Sequence, residues 1–141
     1  MKKRWFLLCT VLTLMFLLTG CKVSGHPLPE GMEEDDVLDQ GREIVAMLNE
    51  GDWQGVYDQL RFDGQEISSP EAIQSYMEER LDKAGGYQRE TEAMTTGQTL
   101  KATGEAYGTA VLYCKHEKKS VMYRIAYSTE MELMGIEAKV Q

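Results

Sequence analysis

Apolar residues in the first half of the chain recur at intervals of three and four, which is the spacing of one helical face. The first run consists of Val37, Gly41, Ile44 and Leu48. Four acidic residues stand directly before it, and negative charge stabilises a helix N-terminus. Because Gly51 is suited to a helix end, the pattern predicts a first helix from near Val37 to just before Gly51.

Two more segments have helical spacing. Asp52 is a good N-cap for a short second helix, and a turn is predicted at residues 63–64. Ser69 followed by Pro70 predicts the start of a third helix, which would end at the glycine pair 85–86. The apolar stripes of the second and third helices are Trp53, Val56, Tyr57 and Leu60, and then Ile73, Tyr76, Met77 and Leu81.

After residue 86 the apolar period changes from helical to two, which is typical of strands. The first strand region is polar and rich in threonine, which favours an edge strand. The predicted fold class is α+β: three N-terminal helices packed on a curved antiparallel sheet of about four strands, in one domain over residues 37–141. The strand regions are 87–96, 100–116 with an interruption near Gly104, 121–127 and 131–140.

The N-terminus has a different pattern. Three basic residues precede an uncharged apolar run that ends near Leu18, shorter than the roughly 20 residues that span a bilayer. This pattern predicts a signal peptide over residues 1–20. Residues 21–36 contain two prolines and an acidic run, and predict a flexible tether.

The tetrapeptide Leu18-Thr19-Gly20-Cys21 resembles the lipobox of bacterial lipoproteins. The resemblance implies cleavage between Gly20 and Cys21 and two acyl chains carried on Cys21, which suffice for stable anchoring. The expected location is the cell membrane, with the domain outside the cytoplasm. The alternatives are a plain signal peptide or a membrane anchor helix, with Cys21 there by chance.

Charge and cysteine content narrow the function classes. The formal net charge is −8, and loss of the three basic residues in the leader would make it −11. A domain this acidic repels the phosphate backbone of nucleic acids and anionic lipid headgroups. Nucleic acid is therefore not an expected partner, and membrane contact should come from the lipid anchor on Cys21. Besides Cys9 and Cys21 the chain has only Cys114, which predicts no disulfide and a buried apolar cysteine.

The sequence contains no glycine-rich phosphate loop, CxxC, HExxH or GxSxG motif. Its histidines, His26 in the tether and His116 at a predicted hairpin turn, are not expected to meet. We therefore assign no catalytic residue, no metal site and no cofactor.

Three phrases resemble the domain of unknown function 3887: LNEGDWQGVYDQL at 48–60, SPEAIQSYMEERLDKAGGY at 69–87 and YRIAYSTEMELMGIEAKV at 123–140. Such domains are similar in fold to the cystatin-like and nuclear transport factor two-like proteins, in which helices close a cone of curved sheet. The resemblance implies an interior that can be filled or hollow. Candidate cavity-lining residues are Trp53, Tyr57, Tyr76, Met77, Tyr113 and Tyr123.

The favoured function is a non-enzymatic binding module for a small ligand, a peptide or an envelope protein. The sequence does not decide whether the domain forms a homodimer through the exposed face of its sheet. The alternative is a cone-fold enzyme of the isomerase or dehydratase kind, which needs an ionisable group at the base of an open cavity. Glu105 and Asp58 are the nearest acidic candidates, and the tyrosines are expected to keep their hydroxyls at the surface.

Overall fold

The computed structural model describes residues 25–141. The predicted signal peptide, the Gly20–Cys21 cleavage and lipidation site and the first residues of the predicted tether lie outside these residues. The described part is α+β, as predicted, with helices followed by strands. Their bounds are α1 Glu34–Glu50, α2 Trp53–Gln59, α3 Phe62–Ile67, α4 Pro70–Ala84, β1 Tyr87–Thr99, β2 Ala106–His116, β3 Ser120–Ser128 and β4 Leu133–Val140.

The four strands form one antiparallel sheet in the order β1-β2-β3-β4, so each strand pairs with its neighbour in sequence. The threonine-rich β1 is an edge strand, which confirms its prediction from composition. The other edge is β4. An edge strand presents backbone N–H and C=O groups that the sheet itself does not satisfy.

The core lies between the helices and one face of the sheet. Val121, Tyr123, Ile125 and Tyr127 alternate along β3, and all are at most 2% exposed. Helix α1 crosses the sheet at Gly41, where a Cβ would lie 2.7 Å from the Cβ of Ala110. A side chain at position 41 would push the helix off the sheet, so the glycine sets the depth of this packing.

The helix ends follow the chemistry read from the sequence. The Asp52 side chain accepts a hydrogen bond from the Gly55 N–H at 3.0 Å, and Ser69 accepts one from the Ala72 N–H at 3.0 Å. Gly51 ends α1 with φ +77°, a left-handed conformation that glycine adopts without strain.

One helix was missed, so the prediction of three N-terminal helices is wrong: the described residues contain four. The turn predicted at residues 63–64 is part of α3, which buries Gly64 but leaves Phe62 71% and Ile67 89% exposed. A helix this short, with its large apolar side chains facing outward, produces no amphipathic period. Tertiary contacts stabilise it instead, since the Arg61 N–H donates to the Leu133 carbonyl at 2.7 Å.

The described part of the predicted tether is packed on the domain. Helix α1 already begins at Glu34, and Met32 is only 8% exposed. The Gly97 N–H on the edge of β1 donates to the His26 carbonyl at 2.9 Å. Residues 26–36 are therefore not a free linker throughout, because the His26 carbonyl satisfies a donor on the open β1 edge and residues 34–36 belong to α1. Linker composition does not reveal either contact. None of the helices within 25–141 combines the length and apolar character needed to cross a membrane.

Candidate functional site

An apolar groove of about 330 Å³ lies between α3, α4 and the edge strand β4. Short helix α3 forms one wall because the Leu60–Leu133 bridge holds the preceding chain beside β4. The second wall is the N-terminal half of α4, positioned by its Ser69 cap. Side chains from three elements form the lining, including Ile67, Ala72, Ile73, Tyr76, Met77 and Ile136.

Both ends of the groove are closed by polar contacts to the β4 backbone. At one end the Tyr76 hydroxyl accepts from the Ala138 N–H at 3.1 Å and donates to the Ala138 carbonyl at 3.3 Å. Arg80 Nε also donates to that carbonyl at 2.8 Å, while its guanidinium carbon lies 3.4 Å from the centre of the Tyr76 ring. This cation–π contact fixes both side chains at the sheet edge.

Arg61 lies at the other end, where its backbone N–H donates a hydrogen bond to the Leu133 carbonyl. Its guanidinium donates to the carboxylates of Asp63 and Glu105. The bond from Arg61 lowers the pKa of Asp63, because it stabilises the charged form. Glu105, one of the acids considered for catalysis, is therefore engaged in an ion pair beside the groove.

A second polar arrangement is fully buried in the core. His116 Nδ1 lies 2.8 Å from the Gly85 carbonyl, and His116 Nε2 lies 3.0 Å from the Tyr123 hydroxyl. A carbonyl only accepts, so we assign the proton to Nδ1, and the Tyr123 hydroxyl donates to Nε2. Asn49 Nδ2 donates to the same hydroxyl at 3.2 Å. Every polar group in this chain of contacts has a partner, which is typical of a structural network.

One expectation about these residues is wrong. The Tyr123 hydroxyl lies in the core rather than at the surface, and burial raises its pKa to about 12. His116, which was placed at a predicted hairpin turn, ends β2 and is 1% exposed. Its burial depends on the Gly85 carbonyl, which the end of α4 brings to it from 31 positions away.

Cys114 is buried, as predicted, and borders a second cavity of about 300 Å³ with Arg42, Glu90 and Tyr87. Burial, with a smaller contribution from Glu90, raises the pKa of the thiol to about 11. The protonated thiol is a poor nucleophile. Arg42 Nε is bonded to Glu90 at 2.9 Å, so these two charged groups of the cavity are paired with each other.

The six candidate cavity residues do not share one site. Tyr76 and Met77 line the groove, whereas Trp53 and Tyr57 are partly buried against the core and Tyr123 is inside it. Tyr113 alternates with the buried Cys114 along β2 and therefore lies on the opposite face of the sheet. The sequence reasoning missed Ile67, Ala72 and Ile136.

Acidic and metal-binding groups are sparse inside the domain. Over residues 25–141 the buried polar residues are Thr109, His116 and Ser128, with no carboxylate among them. In the same range no three His, Cys, Asp or Glu residues cluster as metal ligands would.

Comparison with known proteins places this architecture in a family. A family model described as "Protein of unknown function (DUF3887)" matches residues 41–136, which include α2, α3, α4 and the first three strands. The chain belongs to the DUF3887 family. The match confirms the family resemblance seen in the three sequence phrases.

The DUF3887 domain also has a similar solved structure. An NMR structure of a protein from Ruminococcus gnavus ATCC 29149 has 25% sequence identity and a TM-score of 0.66, and the comparison covers 78% of this chain and 94% of that one. No curated protein matches the chain.

Proposed function

We propose that this DUF3887 protein is a lipid-anchored binding module outside the cytoplasm, without enzymatic activity, and that the groove beside β4 is its ligand site. The observation that carries the proposal is the groove itself. Its volume of about 330 Å³ lies at the small end of the range of ligand pockets. At its mouth Ile67 is 89% exposed, and such an exposed apolar side chain beside an apolar groove favours a binding role.

The composition of the groove supports binding more than catalysis. Its only side-chain polar atoms are the hydroxyls of Ser68 and Tyr76, and no carboxylate, imidazole or thiol lines it. An isomerase or dehydratase of cone fold needs an ionisable group at the cavity base. We also propose that the fold is related to the nuclear transport factor two-like cone. The interior that this relationship would make hollow is occupied by Met77, Tyr123 and Tyr127.

The lipid anchor is supported by the lipobox-like tetrapeptide that ends at Cys21. The described chain that follows it runs along the outer edge of β1, at Gly97. The groove borders β4, three strands away, or roughly 14 Å at the usual strand spacing. An anchor that enters at one edge of the sheet therefore leaves the groove at the other edge open.

The anchor is tested by metabolic labelling with palmitate and fractionation of cells. We expect the wild-type protein to carry label and sediment with membranes, and Cys21→Ala to lose both properties. Label that persists in Cys21→Ala would contradict the lipoprotein assignment.

The groove is tested with N-phenyl-1-naphthylamine, a neutral apolar fluorophore, on residues 22–141, which contain the whole core cluster. Ala72→Trp places a large ring in the groove from an exposed helix position, and Ala102→Trp makes the same change in an exposed turn. We expect saturable binding to the wild type and to Ala102→Trp, and about tenfold weaker binding to Ala72→Trp, a loss of about 1.4 kcal/mol. Equal binding to all three proteins would refute the site.

A further inference from the structure

We infer that the groove binds a short extended peptide segment, which adds to the edge of β4 by backbone hydrogen bonds to Ile136. The inference rests on the proposed ligand site and names the chemical class of its ligand. It depends on which backbone groups of β4 face outward and which of those already have partners.

The register of β4 fixes the direction of its backbone groups. The Gln141 N–H donates to the Ser120 carbonyl on β3, and the ladder continues from the Val121–Val140 pair to the Ile125–Ile136 pair without a register shift. Backbone groups alternate between the two sides of a strand. Odd-numbered residues of this stretch therefore bond to β3, and the N–H and C=O of Ile136 and Ala138 point away from the sheet.

Protein groups occupy the outward positions on either side of Ile136. Ala138 is bonded to the Tyr76 hydroxyl and the Arg80 guanidinium, and the Leu133 carbonyl to the Arg61 N–H. No hydrogen bond from any residue between 25 and 141 reaches the N–H or C=O of Ile136. Within the groove, the β4 edge is thus open at Ile136, between the Arg61 contact at Leu133 and the Tyr76 and Arg80 contacts at Ala138. Val140 also faces outward without a partner among residues 25–141, but it lies beyond Ala138 and outside the groove lining.

The opposite edge shows that this protein covers open backbone with extended chain. On β1 the Gly97 N–H is bonded to the His26 carbonyl, and the chain at Pro27 passes so close that only glycine fits at position 97. Proteins generally protect edge strands, because unpaired backbone there recruits other strands. An uncovered donor and acceptor on one residue, beside an apolar groove, is the arrangement to which an extended peptide adds.

The dimensions and charge of the site define the peptide further. From Leu133 to Ala138 the strand rises by roughly 17 Å, so the covered ends limit the paired segment to about five residues. Side chains alternate along an extended peptide, and those on the groove face would meet Ile73, Tyr76 and Ile136. The formal net charge of −8 disfavours acidic peptides. The occupant is therefore a short segment with apolar residues at alternate positions and neutral or basic residues between them.

The test is a ¹H–¹⁵N NMR titration of residues 22–141 with a set of blocked pentapeptides that have apolar residues at positions 1, 3 and 5 and lysine or threonine between them. For the tightest binder, two N-methylated analogues are compared, one methylated at the odd and one at the even positions. Only one of these sets of N–H groups can face β4. We expect one analogue to bind about tenfold more weakly, as loss of about 1.4 kcal/mol produces, and the other to bind like the parent.

Variants of the protein supply a second measurement. Ile136→Pro removes the outward N–H without breaking a ladder bond, a position at which edge strands tolerate proline. Ile136→Ala also loses the isoleucine side chain but keeps the backbone N–H. We expect Ile136→Pro to bind peptide about tenfold more weakly than Ile136→Ala, because it loses one hydrogen bond worth about 1.4 kcal/mol. Both variants should bind N-phenyl-1-naphthylamine equally. If Ile136→Pro does not fold, the N-methylated peptides on wild-type protein decide alone.

The outcomes separate the two proposals. Equal binding of both N-methylated analogues, or no binding by any peptide while the fluorophore still binds the groove, would overturn the peptide inference and leave the ligand site standing. If neither the fluorophore nor any peptide binds, both proposals fail.

Discussion

Tyr123→Phe is expected to destabilise the domain through one buried hydroxyl. Phenylalanine keeps the ring in the core, so the change removes only the bond to His116 Nε2 and the bond from Asn49. Asn49 keeps its bond to the Val45 carbonyl at 2.8 Å, whereas His116 Nε2 is left without a partner in a site that is 1% exposed.

A buried acceptor that loses its partner costs about 1–3 kcal/mol. We therefore expect the free energy of unfolding of residues 22–141 to fall by about 1–3 kcal/mol in urea titrations followed by circular dichroism. The thermal midpoint should fall by roughly 3 to 15 °C, given about 3–5 °C per kcal/mol for domains of this size. Tyr113→Phe is the matched control, because Tyr113 is partly exposed on the opposite sheet face. Its effect should stay within about 0.5 kcal/mol.

Two results would refute this reasoning. If the urea midpoint of Tyr123→Phe equals that of the wild type, the hydrogen bonds of the Tyr123 hydroxyl make no net contribution to stability. If Tyr113→Phe loses as much as Tyr123→Phe, the loss does not arise from the buried contact. The ¹⁵N shifts of the His116 ring give an independent check, since the wild-type protein should show the proton on Nδ1.

Three further predictions concern pH, the β1 edge and a helix cap. Burial raises the pKa of Tyr123 from its ordinary value near 10 to about 12, so the unfolded chain ionises first. Stability present below pH 10 should be lost as pH rises to 12, and Tyr123→Phe should flatten this loss in urea titrations at several pH values. Gly97→Ala should detach the segment at His26 from β1 and speed its proteolysis, whereas Gly135→Ala, whose Cβ meets nothing within 4 Å, should leave proteolysis unchanged. Asp52→Ala should cost about 1 kcal/mol in the same unfolding assay through loss of the α2 cap, and an unchanged midpoint would contradict that role.

Much of the fold could be predicted because the signals are local. The stripe from Val37 to Leu48 on α1 and the alternation from Val121 to Tyr127 on β3 depend only on residues a few positions apart. The same holds for the cap at Asp52, whose partner is three residues away. Short-range chemistry of this kind is independent of how the elements finally pack, and the helix ends predicted at Gly51, Ser69 and Gly85 and the buried face of β3 are confirmed.

The candidate site could be predicted only in part. Tyr76 and Met77 were chosen because they share a helical stripe, and they do line the groove. Ile67 gave no such signal, because α3 has no amphipathic period, and the exposure of a single isoleucine cannot be read from sequence. The hydroxyl of Tyr123 was expected at the surface, and His116 was placed only at a turn, although both groups meet in the core.

By itself, the sequence determined the α+β class, the helix faces and caps, the alternation of the strands and the family, since all of these are recorded in neighbouring residues. Tertiary structure alone decided that His26, in the predicted tether, bonds to the edge of β1, that His116 is buried against Gly85, and that the outward backbone groups of Ile136 on β4 stay free beside an apolar groove. The physical reason is distance along the chain. A backbone group is satisfied or left free according to what packing brings beside it, and Ile67 and Ile136 meet at this groove from 69 positions apart.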